Sequence, residues 1–598
     1  MCDNEWKDGF DMSGMSSVLK SSVLKDSDTD SRNQSHAQIN EDASARARDH
    51  GYGARVEYNY SQNENHRKVA KYKRCDWVAT GDLGIFAPRH PELEKELFPD
   101  ERTYGKGQNI DILENVKIDI IGENPVKPIE TFEEMGLHPV MMETLRLMHY
   151  IEPTAIQKHV IPAVLQLRDL VVSAQTGSGK TVAYLCPIFS HLMGRAHSIC
   201  APKWNPSQYD PRVDIFRAEP LVLIILPTRE LAWQVFDECR CLCYRAGLRP
   251  CIVYGGAPMV EQREELLKGC DILVSTPGRL RDFLKDPRVL SLHRVRFTVI
   301  DEADELMHED WADDLETVLS GANLNEDSDH IFMMFSATFP SKYRGIAKKF
   351  MASDYLRIKA GRCGSAHANI TQKVIWVDND RKTEAVSDAL FAHPPGRTII
   401  FVNSKSVADK LDDFLFNLHL PCAALHSDRT QNEREDAISG FRSGATPILI
   451  TTGVAARGID VANVLHVINY DLPSTSHGGI DEYVHRIGRT GRLGHLGLAT
   501  SFYNERNDDL APDLVKILME TNQEIPDFLE DFKPTDGSVI FDEGDSDVED
   551  AQVHVGDAKE DGYTWDTATR NDKGLENSGE FKFDEPGETG GKIPPSVW

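Results

Sequence analysis

Short apolar runs alternating with amphipathic stretches recur in two series along this chain, and no other feature restricts its fold as much. The first series is Asp169-Leu-Val-Val-Ser173, Leu221-Val-Leu-Ile-Ile-Leu226, Asp271-Ile-Leu-Val274, Phe297-Thr-Val-Ile300 and Ile331-Phe-Met-Met-Phe335. Uninterrupted apolar runs of this kind suit strands buried on both faces, as in a parallel sheet, and the stretches between them supply crossover helices. The pattern pauses at Ala360-Gly-Arg-Cys-Gly-Ser-Ala-His-Ala368. It resumes with Val374-Ile-Trp-Val377, Thr398-Ile-Ile-Phe-Val402, Pro447-Ile-Leu-Ile450 and Val464-Leu-His-Val-Ile468. The expectation is two α/β domains, over 131–359 and 371–535, joined by a hinge over 360–370.

The flanks read differently. Residues 1–75 are rich in Ser, Asp, Asn and Arg, and the tandem Ser16-Ser-Val-Leu-Lys20 and Ser21-Ser-Val-Leu-Lys25 is too short to build a repeat fold. Residues 76–130 carry anchors such as Trp77, Ile85, Phe98 and Ile110, which predicts an ordered extension wrapped on the first domain. Residues 536–598 are acidic and weakly apolar, so they are expected to be disordered. The longest apolar runs fall far short of the ~20 residues of a membrane span, and the N-terminus lacks a signal pattern, so a cytoplasmic protein without membrane contact is expected. Eleven cysteines without a CxxC pair read as reduced thiols. Cys239, Cys241 and Cys243 read as buried or half-buried helix positions rather than zinc ligands. A net charge of -29 argues, as a whole-chain average, against a nucleic-acid partner, but a local basic groove can sit among acidic tails.

Ala174-Gln175-Thr176-Gly177-Ser178-Gly179-Lys180-Thr181 follows a strand and opens a helix. Gly177 and Gly179 permit a tight turn that aims backbone N–H groups at phosphate oxygens. Lys180 then neutralises phosphate charge, and the Thr181 hydroxyl holds Mg²⁺. The alternative, a chance glycine-rich turn, does not explain why strand, Gly-Lys-Thr and helix fall in sequence. Such a loop needs a carboxylate at the end of a neighbouring strand, and Phe297-Thr-Val-Ile300 runs into Asp301-Glu302-Ala303-Asp304. Asp301 suits the metal, and Glu302 suits the orientation or deprotonation of an attacking water. An acidic helix N-terminus explains the same residues in part, but not their place at a strand end.

With both motifs present, residues 131–535 closely resemble the DEAD-box ATP-dependent RNA helicases. The resemblance implies two tandem RecA-like domains, with ATP and Mg²⁺ as cofactors. Pro153-Thr-Ala-Ile-Gln157 is similar to the family's adenine-reading segment, with Phe132 as the upstream stacking aromatic and Gln157 bonding the adenine edge. Ser336-Ala-Thr338 is similar to the element linking hydrolysis to unwinding. Thr451-Thr-Gly-Val-Ala-Ala-Arg-Gly-Ile-Asp460 resembles the segment touching RNA and nucleotide, with Asp460 on the ribose. His485-Arg-Ile-Gly-Arg-Thr-Gly-Arg492 resembles the arginine-finger segment, so that His485, Arg489 and Arg492 join the catalytic set and the two arginines reach the γ-phosphate.

The resemblance also implies an RNA path. In the first domain it comprises Pro227, Thr228, Arg229, Gly255, Gly256, Thr276, Pro277, Gly278 and Arg279. In the second it comprises Asn403, Ser404, His426, Gln431, Arg434, Thr451 and Thr452. These residue types suit phosphates and 2′-hydroxyls rather than base edges. Gly107–Ile121, Asn369–Gln372, Asn504–Arg506 and Gln523–Pro526 look like the Vasa, Belle and PL-ten branch, which implies messenger RNA, translation or RNA–protein-particle proteins as partners, and a monomeric enzyme. His149, Ala155, Trp233, Ser427 and Gly453 depart from common family residues. Two readings stay open: an enzyme that separates short RNA duplexes, and an ATP-gated RNA clamp that rarely unwinds. A DNA helicase is disfavoured by the Phe132–Gln157 pair, and a P-loop kinase by the second domain.

Overall fold

A computed structural model describes residues 87–99, 116–175, 177–193, 195–201, 217–306, 309–321, 330–337, 349–361, 369–456, 461, 463–492 and 495–534. The tails expected over 1–75 and 536–598 lie outside these residues. Two sheets carry the chain. The first comprises β1 (Ile118–Ile121), β2 (Leu170–Ala174), β3 (Val222–Ile225), β4 (Pro250–Val253), β5 (Ile272–Ser275), β6 (Phe297–Ile300), β7 (Ile331–Ser336) and β8 (Leu356–Ala360). Its order is β1-β8-β2-β7-β6-β3-β5-β4, parallel throughout except for β1.

The second sheet comprises β9 (Ile370–Trp376), β10 (Arg397–Val402), β11 (Cys422–Leu425), β12 (Ile448–Thr452), β13 (Val464–Asn469) and β14 (Gly497–Tyr503), in the order β11-β12-β10-β13-β14-β9, all parallel. The central strands β2, β3, β5, β6 and β7 are buried along their whole length, which is why their sequences are uninterrupted apolar runs. Apolar clusters fill both faces of each sheet, with helices as the outer layers. These are the two RecA-like parallel-sheet domains.

Two of the strands that sequence patterning missed carry polar side chains among their apolar ones. β8 reads Leu-Arg-Ile-Lys-Ala, with its two cations half-buried between buried positions. β14 is buried throughout yet carries Thr500 and Ser501, whose hydroxyls bond His466 at 2.8 Å and Asn469 at 3.0 Å. Side-chain hydrogen bonds to the adjacent strand replace the apolar signal there. Ala360 closes β8 and Ile370 opens β9, so both ends of the expected hinge belong to strands, while 362–368 lie outside the described residues.

In the extension, Ala87 N–H bonds Arg245 O at 2.9 Å, and Tyr244 Oη donates to Glu94 at 2.6 Å. β1 adds an antiparallel strand to β8, and Gly361 N–H bonds Lys117 O at 2.9 Å at the start of the expected hinge. Cys239 and Cys241 on the helix Arg229–Leu242, and Cys243 at its end, are all fully buried. Among the described residues no helix is long and apolar enough to cross a membrane.

Candidate functional site

The site starts where β2 stops. Between Ala174 and the helix Lys180–Leu192, Gly177 and Gly179 take φ values of 78° and 91°, left-handed conformations that a side chain resists. Lys180 turns its ammonium back onto the loop, donating to the carbonyls of Ala174 and, at 3.2 Å, Gln175. Ser178 Oγ donates to Gln175 O at 2.8 Å, tightening the same turn. Burial lowers the pKa of Lys180, and the charges of Asp301, Asp304 and Glu302 oppose that shift. Thr176 lies outside the described residues.

β6 delivers the acidic residues, but it is not the immediate neighbour of β2. The sheet inserts β7 between them, so Ser336, at the end of β7, pairs in register with Ser173 beside the loop. Ser336 is buried, and Thr338 lies outside the described residues. Asp301 is joined to the loop helix by Tyr184, whose hydroxyl donates to Asp301 Oδ2 at 2.9 Å. Asp301 Oδ1 accepts from Glu302 N–H at 2.9 Å. Burial raises the Asp301 pKa against the field of Lys180. Glu302 stands in the left-handed region with φ of 50°, a conformation non-glycine residues rarely hold. Its Oε2 is buried without a hydrogen-bond partner, and burial pushes its pKa up to about 7 against the field of Arg489.

The second domain completes the arrangement. On the helix Gly479–Ile487, His485 sits between two carboxylates of the first domain, 3.8 Å from Asp304 and 3.7 Å from Glu305. Arg489 Nε donates to His485 O at 3.0 Å and Arg492 Nε to Gly488 O at 3.1 Å, which fixes both side chains on the turn after the helix. A Cβ on Gly177 would lie 3.1 Å from Arg492 Cγ, so Arg492 packs directly on the phosphate loop. Lysine, carboxylates and arginines from both domains thus converge on one loop.

A DEAD/DEAH box helicase model matches residues 154–346, and a helicase conserved C-terminal domain model matches 381–494, together about half of the chain. The chain belongs to the DEAD-box helicases. As a member of that family it is an ATP-dependent RNA helicase. Among solved structures it is similar to S. cerevisiae Dbp5 bound to RNA and ADP BeF3, with 26% identity, TM-score 0.55, and 66% of this chain and 95% of that one covered. It is also similar to Mss116 bound to ssRNA and UDP-BeF, with 26% identity, TM-score 0.57 and coverage of 68% and 82%. S. cerevisiae Dbp5 bound to Gle1 and IP6 matches at 27% identity and TM-score 0.52, over 66% and 93%.

In this helicase the expected adenine readers are engaged elsewhere. Gln157 is fully buried; its Oε1 accepts from Thr154 N–H at 3.0 Å and its Nε2 donates to Gly179 O at 3.2 Å. The amide therefore caps its own helix, whose first N–H groups need acceptors, and holds the phosphate loop. Phe132 is 1% exposed and lines a cavity of about 290 Å³ with Arg146, His149 and Tyr150; neither Gln157 nor any loop residue lines it. A base stacks on Phe132 only if its covering residues move. Asp460 lies outside the described residues.

The helicase's expected RNA residues divide into three groups. Gly256, Asn403 and Ser404 are exposed, while Thr228, Arg229, Gly255, Gly278, Arg279 and Thr452 are half-buried. Thr228 and Ser404 cap helices by accepting from Leu231 N–H at 3.3 Å and Val407 N–H at 3.2 Å. Both Nη atoms of Arg279 donate to Ala257 O at 3.1 Å, and the Arg229 guanidinium lies against Gly255 and Gly256. A second group, Pro227, Thr276, Pro277, His426 and Thr451, is buried. His426 bonds Asp409 at 3.0 Å and Thr451 donates to Thr452 O at 3.1 Å, so these two brace loops instead of presenting themselves to a ligand. The third group bridges the domains: Arg229 donates to Gln431 Oε1 at 2.9 Å, and Arg434 pairs with Glu230 at 2.7 Å. Sequence reading missed Tyr184 and Glu305, and it placed Glu230, in Pro227-Thr-Arg-Glu230, on the RNA path, whereas the structure pairs it with Arg434. An aromatic one turn past the loop lysine was the available signal for Tyr184; the roles of the other two become visible only when the domains meet.

Proposed function

We propose that this helicase acts on messenger RNA, separating short duplexes or remodelling RNA–protein particles in the cytoplasm with each cycle of ATP turnover. The observation that carries the reading is the seating of the second-domain segment His485–Arg492 on the first-domain loop and carboxylates, because it makes hydrolysis depend on closure of both domains. RNA would bind along Thr228, Arg229, Gly255, Gly256, Gly278, Arg279, Asn403, Ser404 and Thr452, which line both domains with donors suited to phosphates and 2′-hydroxyls. Gln372 and Gln523, from two flank segments that suggest the Vasa, Belle and PL-ten branch, bond each other at 2.8 Å, and Tyr483 of the finger helix donates to Gln372 at 2.9 Å. Those contacts support a role for the flanks in holding the finger segment.

In the mechanism so framed, Lys180 and the loop N–H groups bind the β- and γ-phosphates. The buried, unpartnered Glu302 Oε2 and the buried Asp301 fit a bound Mg²⁺ with its water shell, which Thr181 and Asp301 would hold. The ion, when bound, screens phosphate charge. Glu302 takes the proton of the attacking water, for which a carboxylate with a pKa near the working pH is suited. Arg489 and Arg492 stabilise charge developing on the γ-phosphate.

ATPase activity measured with poly-RNA and with poly-DNA, beside strand release from a short RNA duplex, tests this reading. Stimulation by RNA alone together with ATP-dependent release is expected. Equal stimulation by DNA would overturn the RNA path, and tight ATP-dependent RNA binding without strand release would favour the clamp.

A further inference from the structure

Gly453 follows β12 and opens the short helix Gly453–Ala456, and it is not among the glycines with positive φ. The requirement for glycine there is therefore space, not backbone conformation. A Cβ built on Gly453 would overlap the Glu482 carboxylate and lie 3.1 Å from Arg486 Nη2. Glu482, 4% exposed on the helix Gly479–Ile487, occupies the volume that any other residue at 453 would claim.

From that place Glu482 Oε1 accepts from Arg486 Nε at 3.0 Å. Arg486 in turn donates to Asp471 O at 2.8 Å and Asn403 Oδ1 at 3.1 Å, and lies 5.2 Å over the Phe401 ring. One ligand atom from each of Glu482, Glu305 and His485 lies within 4.8 Å of the others. A second-domain carboxylate thus faces a first-domain carboxylate, and two such groups repel unless a cation lies beside both. His485 is that group.

We propose that Glu482 is a positioning residue for the finger segment: in the space Gly453 leaves, its carboxylate fixes Arg486 and, with Glu305, brackets His485 across the domain boundary. His485 O accepts from Arg489 Nε at 3.0 Å, so the bracket also sets where Arg489 stands. The inference rests on Arg489 meeting the γ-phosphate. The titratable groups facing His485 are Asp304 and Glu305 from the first domain and Glu482 from its own helix. Burial pulls the His485 pKa down, but the Glu305 carboxylate at 3.7 Å and the charges of Asp304 and Glu482 raise it to about 9. The imidazolium's contribution is complete below the ordinary histidine value of about 6.5 and is lost as pH rises through about 9.

RNA-stimulated ATPase of the full chain against pH is the test. Glu482→Gln keeps the shape and removes the charge; it should lower kcat about tenfold while KM for ATP moves less than about twofold. Its alkaline limb should also fall by about half a pH unit or more. Gly453→Ala, which drives a methyl into the carboxylate, should give the same kcat loss. Gly453→Asp combined with Glu482→Ala supplies the carboxylate from the other side of the space and should restore kcat to within about threefold. Wild-type kcat with an unmoved alkaline limb in Glu482→Gln would overturn the proposal, and this isosteric variant decides the matter should Gly453→Ala fail to fold. If the wild-type chain shows no RNA-stimulated turnover, the reading of the site fails by itself. The imidazole resonances of histidine-labelled protein then still judge Glu482, because an unchanged His485 midpoint in Glu482→Gln would overturn its role.

Discussion

The phosphate floor and the rim between the domains are built from similar residue types, yet they use them in opposite ways. On the floor, Lys180, Asp301 and Glu302 come from one domain, fixed by a loop and a strand end, with an orphaned Glu302 oxygen. At the rim, Arg229, Glu230, Gln431 and Arg434 come from two domains and pair across the boundary, Arg229 with Gln431 and Arg434 with Glu230, although Glu230 Oε1 and Arg434 Nε make no hydrogen bond among the described residues. The floor is preorganised before the domains meet. The rim exists only once they do. A change on the floor should therefore act on chemistry, and a change at the rim on the stability of the closed state.

The largest effect should come from the residue that joins the two regions. Arg489→Ala is expected to lower kcat by up to ~10³-fold, the scale of a residue that stabilises transition-state charge, with far less change in ATP affinity. Steady-state kinetics at saturating RNA check this; a rise in KM at constant kcat would move Arg489 from the floor to the rim. Glu302→Gln should follow, at roughly 10²-fold in turnover, while RNA binding with a non-hydrolysable ATP analogue is preserved. Unchanged hydrolysis would remove Glu302 from the mechanism.

At the rim, buried Glu230 pairs with half-buried Arg434, with burial raising the Glu230 pKa and Arg434 opposing that shift. Removing either partner leaves the other charge desolvated, so Glu230→Gln and Arg434→Ala should each weaken analogue-dependent RNA binding. In a double-mutant cycle the pair should show coupling of about 1–3 kcal/mol. Additive losses would mean that the ion pair plays no part in closure.

The same division explains what was legible in the sequence. The floor could be read because its parts are contiguous: a strand, a glycine turn and Gly-Lys-Thr, then Ile300 running into Asp301 and Glu302. The central strands were equally plain, since burial on both faces leaves an unbroken apolar run. Strands β4, β8, β11 and β14 were not: the inward positions of β8 alternate with cations, those of β14 are partly filled by hydroxyls bonded across the sheet, and the edge strands β4 and β11 are four residues each, opened by Pro or Cys, with too short an apolar run to stand out. The rim could not be read at all. Arg434 carries the same residue-level signal whether it meets phosphate or a carboxylate more than two hundred positions away. Gln157 shows the limit from another side: an amide suited to an adenine edge is equally suited to a helix N-terminus and a loop carbonyl, and the structure uses it for those.

The smallest expected effect tests whether the rim is one unit or two independent contacts. Arg229 donates to Gln431 at 2.9 Å while resting on Gly255 and Gly256, and Gln431 Nε2 reaches Glu435 at 3.2 Å. The bond is partly buried and has a neutral acceptor, so Gln431→Ala should cost about 0.5–1.5 kcal/mol of closed-state affinity, the net value of one hydrogen bond. That is severalfold in RNA binding with an ATP analogue and no change in RNA binding without nucleotide. If the rim acts as a unit, Gln431→Ala should lose most of its effect in an Arg434→Ala background, because closure there is already impaired. If the contacts are independent, its cost should be the same in both backgrounds. A loss of RNA binding without nucleotide would instead show that freeing Arg229 disturbs the glycine-lined surface it rests on, and would place Gln431 in the RNA path.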